Sequence, residues 1–92
     1  MKQQEVQKDL DLQESKIYFK KGIDKKLISL GFNEVIYDAW QKYLDKMKIR
    51  YFVNKKSQQI KIYPKLGIIC LMDKYGNTYY EGNFFTLKDL KE

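Results

Sequence analysis

The chain of 92 residues contains no histidine, one cysteine, one proline and one arginine. Without histidine there is no imidazole base to activate a serine or cysteine nucleophile, and mixed cysteine–histidine zinc sites cannot form. The single cysteine, Cys70, excludes an internal disulfide and with it the small secreted disulfide scaffolds. Because Cys70 lies in an apolar stretch, we expect a packed thiol rather than a reactive one. These absences remove most classes of enzyme.

Phosphate-binding glycine loops and long apolar runs are also missing. The sequence has neither GxGxxG nor GxxxxGK[ST], the patterns that cradle phosphates. The longest apolar run, Leu66 to Met72, is too short to cross a bilayer, and residues 1–15 lack the apolar core of a signal peptide. The carboxylates are dispersed rather than clustered as a Mg²⁺ site requires. We therefore expect a cytoplasmic, non-enzymatic protein with no metal, no cofactor and no membrane contact.

The residues that are present describe one small folded domain. Hydrophobic residues make up 43% and aromatic residues 15% of the sequence, which is too much for a disordered chain, while 33% are charged. A chain of this size forms one core and leaves little room for an enclosed cleft. We predict a single domain over residues 1–92, in which residues 1–15 form at most a weakly amphipathic, frayed helix.

Basic residues are concentrated in the middle of the chain. Eighteen lysine and arginine residues stand against twelve acidic ones, which gives a net charge of +6. Residues 16–65 carry twelve lysines and Arg50 against four acids. This surplus favours an anionic partner, either a nucleic acid or nucleoprotein complex or an acidic protein surface. The alternative is that the lysines only keep the surface solvated.

A change of hydrophobic period divides the chain into a helix followed by strands. Seven apolar residues between Val35 and Met47 recur at the spacing of one helical face, and Asn33 is a suitable N-cap. From Ile49 onward the period is two, with turn residues at regular intervals. The predicted fold is α+β, with one long amphipathic helix over about 34–48 packed on a four- to five-stranded antiparallel meander over about 49–87.

A short helix and strand segment is predicted before the long helix. Lys16 to Lys20 is β-branched and aromatic, which predicts a brief strand. Asp24 can cap a short helix from Lys25 to Leu30, and Gly31 would close that helix in the left-handed conformation.

Basic and aromatic residues interleave on both sides of the predicted long helix. The alternation of Arg50 and Phe52 with their neighbours, and of Lys61 and Tyr63 with theirs, puts charged and aromatic side chains on a common strand face, as a stacking platform for single strands requires. Lysines would neutralise phosphates, while Arg50, Tyr51 and Tyr63 would make the more directional contacts. The residues predicted to bind nucleic acid or a partner are Lys20, Lys21, Lys25, Lys26, Lys48, Arg50, Tyr51, Lys55, Lys56, Lys61 and Tyr63. The leading hypothesis is a small accessory or inhibitory protein that docks on a nucleic acid or nucleoprotein complex.

A second hypothesis is a protein-only interaction module, either a homodimer or an inhibitor of a partner protein. Gly82-Asn83 suits a two-residue hairpin loop, which would pair Tyr80 with Phe85. The resulting strands have a second apolar face that one helix cannot cover. That possible interface carries Ile69, Leu71, Tyr79 and Phe84.

A third hypothesis is a winged-helix-like DNA-binding regulator. Leu30 to Asn33 followed by Trp40 is faintly like the turn of a helix-turn-helix, and a hairpin over 49–63 could act as the wing. The candidate recognition helix argues against this, because it would present Glu34 and Asp38 to the phosphates.

Overall fold

The computed structural model describes residues 15–36 and 48–91. In chain order the elements are β1 (Ile17–Tyr18), α1 (Ile23–Ser29), β2 (Asn33–Val35), β3 (Arg50–Val53), β4 (Gln59–Tyr63), β5 (Ile68–Met72), β6 (Thr78–Gly82), β7 (Phe84–Phe85) and a 3-10 helix (Leu87–Asp89). Strands β2 to β6 form a five-stranded antiparallel sheet in sequence order, and β1 pairs with β7 in a separate two-stranded ribbon. The predicted α+β class with an antiparallel meander is therefore confirmed. No helix in the described ranges is long and apolar enough to span a membrane.

The long amphipathic helix predicted over 34–48 is wrong where the structure describes it. Asn33–Val35 is strand β2, and Glu34 pairs with Phe52 of β3. Ile36, which the helical pattern placed in the core, is 69% exposed. The remainder of the predicted helix, residues 37–47 with Trp40, lies outside the described residues. In the described part of the chain the α-helix is the seven-residue α1.

The C-terminal end of α1 forms as its glycine predicts. Gly31 has a φ of 96°, in the left-handed region. The N–H groups of Gly31 and Phe32 donate to the carbonyl oxygens of Ile28 and Leu27, each at 3.0 Å. This is the Schellman arrangement, in which residues on either side of the helix end also pack together. Leu27 and Phe32 are both buried in the core, so packing fixes the end of α1.

The hydrophobic core cluster lies on one face of the five-stranded sheet, which we call the inner face, while Cys70 and Met72 are buried on the opposite face. Alternate residues of β3, β4 and β5 supply the sheet side of this core, and α1 and the β1–β7 ribbon cover it. The buried members of the core are Ile17, Ile23, Leu27, Phe32, Phe52, Ile60, Ile62, Ile69, Leu71 and Phe85.

Strand β6 contains an irregularity at Tyr79. Leu71 pairs with Tyr80 while the next residue of β5, Met72, pairs with Thr78, so Tyr79 is an extra residue without a cross-strand partner. Such a β-bulge interrupts the alternation of side chains. As a result, Tyr79 and Tyr80 both pack against the core. Simple alternation along the strand predicts that these two adjacent tyrosines lie on opposite faces.

The predicted hairpin at Gly82-Asn83 is also wrong. Phe85 pairs with Ile17 of β1 rather than with Tyr80. Tyr80 instead contributes its hydroxyl, which donates to the carbonyl oxygen of Phe84 at 2.5 Å. Strand β7 thus does not join the five-stranded sheet but pairs with β1 at the other end of the described chain. Local turn residues could not predict this pairing.

Candidate functional site

The second face of the five-stranded sheet, which we call the outer face, carries a row of chemically diverse residues. One residue from each strand takes part, and cross-strand partners in a sheet project to the same side. From β2 to β6 the row is Val35, Tyr51, Lys61, Cys70 and Glu81. Lys61 stands in the central strand.

Lys61 lies between two tyrosine rings. Its Nζ is 5.5 Å from the ring centroid of Tyr51, its partner on β3, and 5.1 Å from the ring centroid of Tyr63, two residues along β4. Both distances are within the range of cation–π attraction. All three side chains are half-buried. We call Tyr51, Lys61 and Tyr63 the outer-face cluster. All three are among the residues that the sequence predicted to bind nucleic acid or a partner.

The ammonium group of Lys61 is a stable cation. Burial lowers its pKa and is the largest single influence, but the hydroxyl of Tyr63 and the electrostatic effects of both tyrosines and Cys70 together raise the pKa above the ordinary value of lysine. Within residues 15–36 and 48–91, Arg50 forms ion pairs with Asp24 and Glu34, whereas no ion pair joins Lys61 to a carboxylate. The outer face therefore has a positive charge at its centre.

Cys70 and Glu81 complete the row with very different properties. Cys70 is fully buried. Burial raises the pKa of its thiol to about 11, and the nearby carboxylate of Glu81 further disfavours the thiolate. Cys70 is thus a neutral packing residue at physiological pH. Glu81 is exposed on the edge strand β6, where its charge repels anions.

Arg50 lies on the inner-face side, where it joins three elements of the fold. Its Nε and Nη2 donate to the two carboxylate oxygens of Glu34 at 2.7 and 2.6 Å. Its Nη1 lies 3.1 Å from Oδ2 of Asp24 in α1. The hydrogen bond from Arg50 is the largest influence on the pKa of each carboxyl and lowers both below their ordinary values. Arg50, predicted as a directional contact for a partner, is instead engaged within the chain.

The predicted lysines divide between two ends of the sheet. The β3–β4 register pairs Arg50 with Ile62 at one end and Val53 with Gln59 at the other. Near the first end lie the predicted lysines Lys20, Lys21 and Lys48, near the second lie Lys55 and Lys56, and Lys25 and Lys26 lie on α1; Lys65, which was not among the predicted residues, also lies near the first end. All eight are exposed. The two ends of the hairpin are three residues apart along each strand, on the order of 10 Å at roughly 3.3 Å per residue, so lysines flank the outer-face cluster at both ends.

The four residues of the possible apolar interface do not form an exposed patch. Ile69 and Leu71 are completely buried in the core, because α1 and the β1–β7 ribbon cover the inner face. The sequence predicted a second apolar face on these strands, with a second copy of the chain or a partner protein as its cover. Burial leaves these two side chains no surface to offer a partner.

Tyr79 and Phe84 are occupied by contacts within the chain. The Tyr79 hydroxyl donates to the carbonyl oxygen of Asp89 and accepts from the backbone N–H of Lys91, both at 2.9 Å. The ring of Phe84 lies 5.2 Å from that of Tyr18, centroid to centroid. These contacts hold the C-terminal residues and β1 against the domain.

A cavity of about 490 Å³ opens at the second end of the sheet, and the sequence did not predict it. Three segments that are distant in sequence enclose it, so no local pattern reveals it: the end of α1, the β3–β4 turn and the residues around the 3-10 helix. Its lining residues are Leu30, Gly31, Phe32, Asn54, Lys55, Lys56, Gln58, Leu87 and Leu90. Among residues 15–36 and 48–91, no three side chains of the His, Cys, Asp and Glu types group as metal ligands.

Comparison with family models, with curated proteins and with solved structures gives no match to this chain. The functional inference therefore depends on the geometry and charge of the described residues. Among the hypotheses drawn from the sequence, the helix-turn-helix requires a helix to begin at Asn33, where the structure has strand β2.

Proposed function

We propose that this protein binds single-stranded nucleic acid on the outer face of its sheet and acts as a non-enzymatic accessory or inhibitory component of a nucleoprotein complex. The outer-face cluster is the observation that carries this proposal. Bases stack on aromatic rings with little regard to base identity, and a lysine among those rings neutralises the adjacent phosphate. Tyr51 and Tyr63 flank the ammonium group of Lys61 on the central strands of the sheet.

The surrounding charges favour a path along the β3–β4 hairpin. Lys48 and Lys65 lie at one end of this hairpin, and Lys55 and Lys56 lie at the other. The exposed carboxylate of Glu81 on β6 disfavours phosphates at that edge of the sheet. A short single strand that follows the hairpin meets lysines at both ends and tyrosine rings between them.

Binding can be measured by fluorescence anisotropy of a labelled oligothymidylate of about twelve nucleotides, within the usual range of single-strand site sizes. We expect the affinity to fall as the salt concentration rises, because binding releases counterions from the phosphates. A duplex of the same length should bind more weakly, because its bases are stacked on each other. Failure to bind the single strand at about 50 mM salt would refute the proposal.

Substitutions in the outer-face cluster test its role. Tyr51→Leu or Tyr63→Leu should weaken binding by about 5- to 150-fold, since stacking of one base contributes about 1–3 kcal/mol. Tyr51→Phe keeps the ring and should bind almost normally. Lys61→Gln should remove about one phosphate contact. The slope of the logarithm of the binding constant against the logarithm of the salt concentration should then become shallower by roughly 0.7.

A matched pair outside the face provides the control. Lys74 and Tyr75 in the β5–β6 turn repeat the same contact, with the Lys74 Nζ 5.2 Å from the ring centroid of Tyr75. Tyr75 is 76% exposed. Tyr75→Leu and Lys74→Gln should leave the affinity almost unchanged. If they weaken binding as much as the variants of Tyr63 and Lys61 do, binding is not specific to the outer face and the outer-face site is excluded.

A further inference from the structure

The cavity at the second end of the sheet has an apolar wall that is continuous with the core. Phe32 is a buried core residue, and Leu30, Leu87 and Leu90 are partly buried against the core. These side chains come from the end of α1 and from the C-terminal residues, and they are held in place by the core that they contact. A volume of about 490 Å³ is within the range of small-molecule sites.

The opposite wall is polar and is preformed by hydrogen bonds of the β3–β4 turn. Oδ1 of Asn54 accepts from the backbone N–H groups of Lys56 and Gln58, each at 3.0 Å. Nδ2 of Asn54 donates to Oε1 of Gln58 at 2.6 Å. Gln58 lines the cavity beside this turn, and its amide group carries two N–H donors. Lys55 and Lys56 extend from the same turn, so this wall combines two cations with an amide donor.

Among the described residues, the lining therefore has one apolar side, one cationic side and no carboxylate. A cation is attractive to any anion, but a small hydrated anion would gain nothing from Leu30, Leu87 and Leu90. We propose that this cavity binds an amphipathic carboxylate, with an aliphatic body against the leucines and a carboxylate at Lys55, Lys56 and Gln58. Lys55 and Lys56 also lie on the path proposed for the single strand, but this inference is argued from the cavity lining and does not depend on the proposed function.

The test uses the full chain and octanoate, with octan-1-ol as the uncharged ligand of equal chain length. In two-dimensional NMR titrations, octanoate should shift the backbone amides of residues 30–32, 54–58 and 87–90. Lys55→Ala combined with Lys56→Ala should weaken octanoate binding about three- to tenfold, the scale of two solvent-exposed charge contacts. The same double variant should bind octan-1-ol as the wild type does.

Lys20→Ala combined with Lys21→Ala is the matched control, because it removes the same charge at the other end of the sheet and should leave octanoate binding unchanged. All four lysines are exposed, so both double variants should retain the wild-type fold, which the same spectra check. The proposal is overturned if octanoate causes no shifts at millimolar concentration or shifts residues away from the cavity. It is also overturned if the two double variants weaken binding equally.

Discussion

Replacing Arg50 by methionine tests whether this residue joins parts of the fold or contacts a partner. The substitution keeps an unbranched apolar stem but removes the bonds to Glu34 and Asp24. The side chains of Arg50 and Glu34 are 37% and 34% exposed, so solvent screens the pair. A bidentate pair at this exposure lies at the upper end of surface ion pairs, and we expect Arg50→Met to lower the free energy of unfolding at pH 7 by about 1 kcal/mol.

The same pair makes stability depend on pH. Arg50 lowers the pKa of Glu34 and Asp24 in the folded protein below their ordinary values, which are about 4.3 and 3.9 in the unfolded chain. A carboxyl whose folded pKa is lowered contributes stability above its unfolded pKa, and this contribution is lost as the pH falls through the folded pKa. Stability of the wild type should therefore decrease below about pH 5. In Arg50→Met this dependence should be weaker.

Urea unfolding followed by circular dichroism at pH 7 and at about pH 3 measures both effects. Arg50→Lys should be intermediate, because an ammonium group keeps the charge but cannot form the two parallel bonds. The affinity of folded Arg50→Met for the oligothymidylate should equal that of the wild type. The structural role of Arg50 would be refuted if Arg50→Met had the stability and pH dependence of the wild type but lost affinity as Tyr51→Leu does. Arg50 would then be a ligand contact.

Two further predictions concern the end of α1 and the thiol. A Cβ at Gly31 would meet no atom within 4 Å, so Gly31→Ala should cost only the strain of the left-handed backbone, about 1 kcal/mol in urea unfolding. Gly31→Asn should lower the free energy of unfolding by less, because asparagine tolerates the left-handed conformation. If Gly31→Ala is as stable as the wild type, residue 31 is not in the left-handed conformation at the end of α1. Cys70, with its pKa raised to about 11 and no exposed area, should resist an aromatic disulfide reagent at pH 8 until urea unfolds the protein. Rapid modification of the folded protein would contradict this burial.

Local sequence signals were sufficient for the central strands of the sheet. The alternation predicts strands over residues 49–53, 59–63 and 67–72. The observed β4 has the predicted bounds, while β3 and β5 each begin one residue later. These strands are joined by short turns with clear turn residues, so their neighbours in sequence are also their neighbours in space. The glycine that ends α1 was predicted for the same reason, because its signal is confined to a few residues.

Interactions between distant segments explain the errors. Asn33 and the following apolar residues have the spacing of a capped helix, but β2 instead gains a ladder with β3 and a carboxylate contact to Arg50, sixteen residues from Glu34. Strand β7 likewise pairs with β1 from the opposite end of the described chain. Neither partner can be recognised from local periodicity, which records only the spacing of residue types. The bulge at Tyr79 is a further case, since one extra residue exchanges the faces of all that follow.

For the same reason, the sequence does not distinguish a cation that is paired with carboxylates from one that lies between aromatic rings. On sequence alone, Arg50 and Lys61 are equivalent, as each is a basic residue in an alternating strand with an aromatic neighbour. The register shows that they project to opposite faces. Arg50 meets two carboxylates on the inner side, and its charge is neutralised there. In the described part of the chain, Lys61 meets the faces of two neutral rings, which attract its charge without cancelling it. The positive potential of the sheet is therefore left on the face that also presents tyrosine rings, which is the combination that a single-stranded nucleic acid requires.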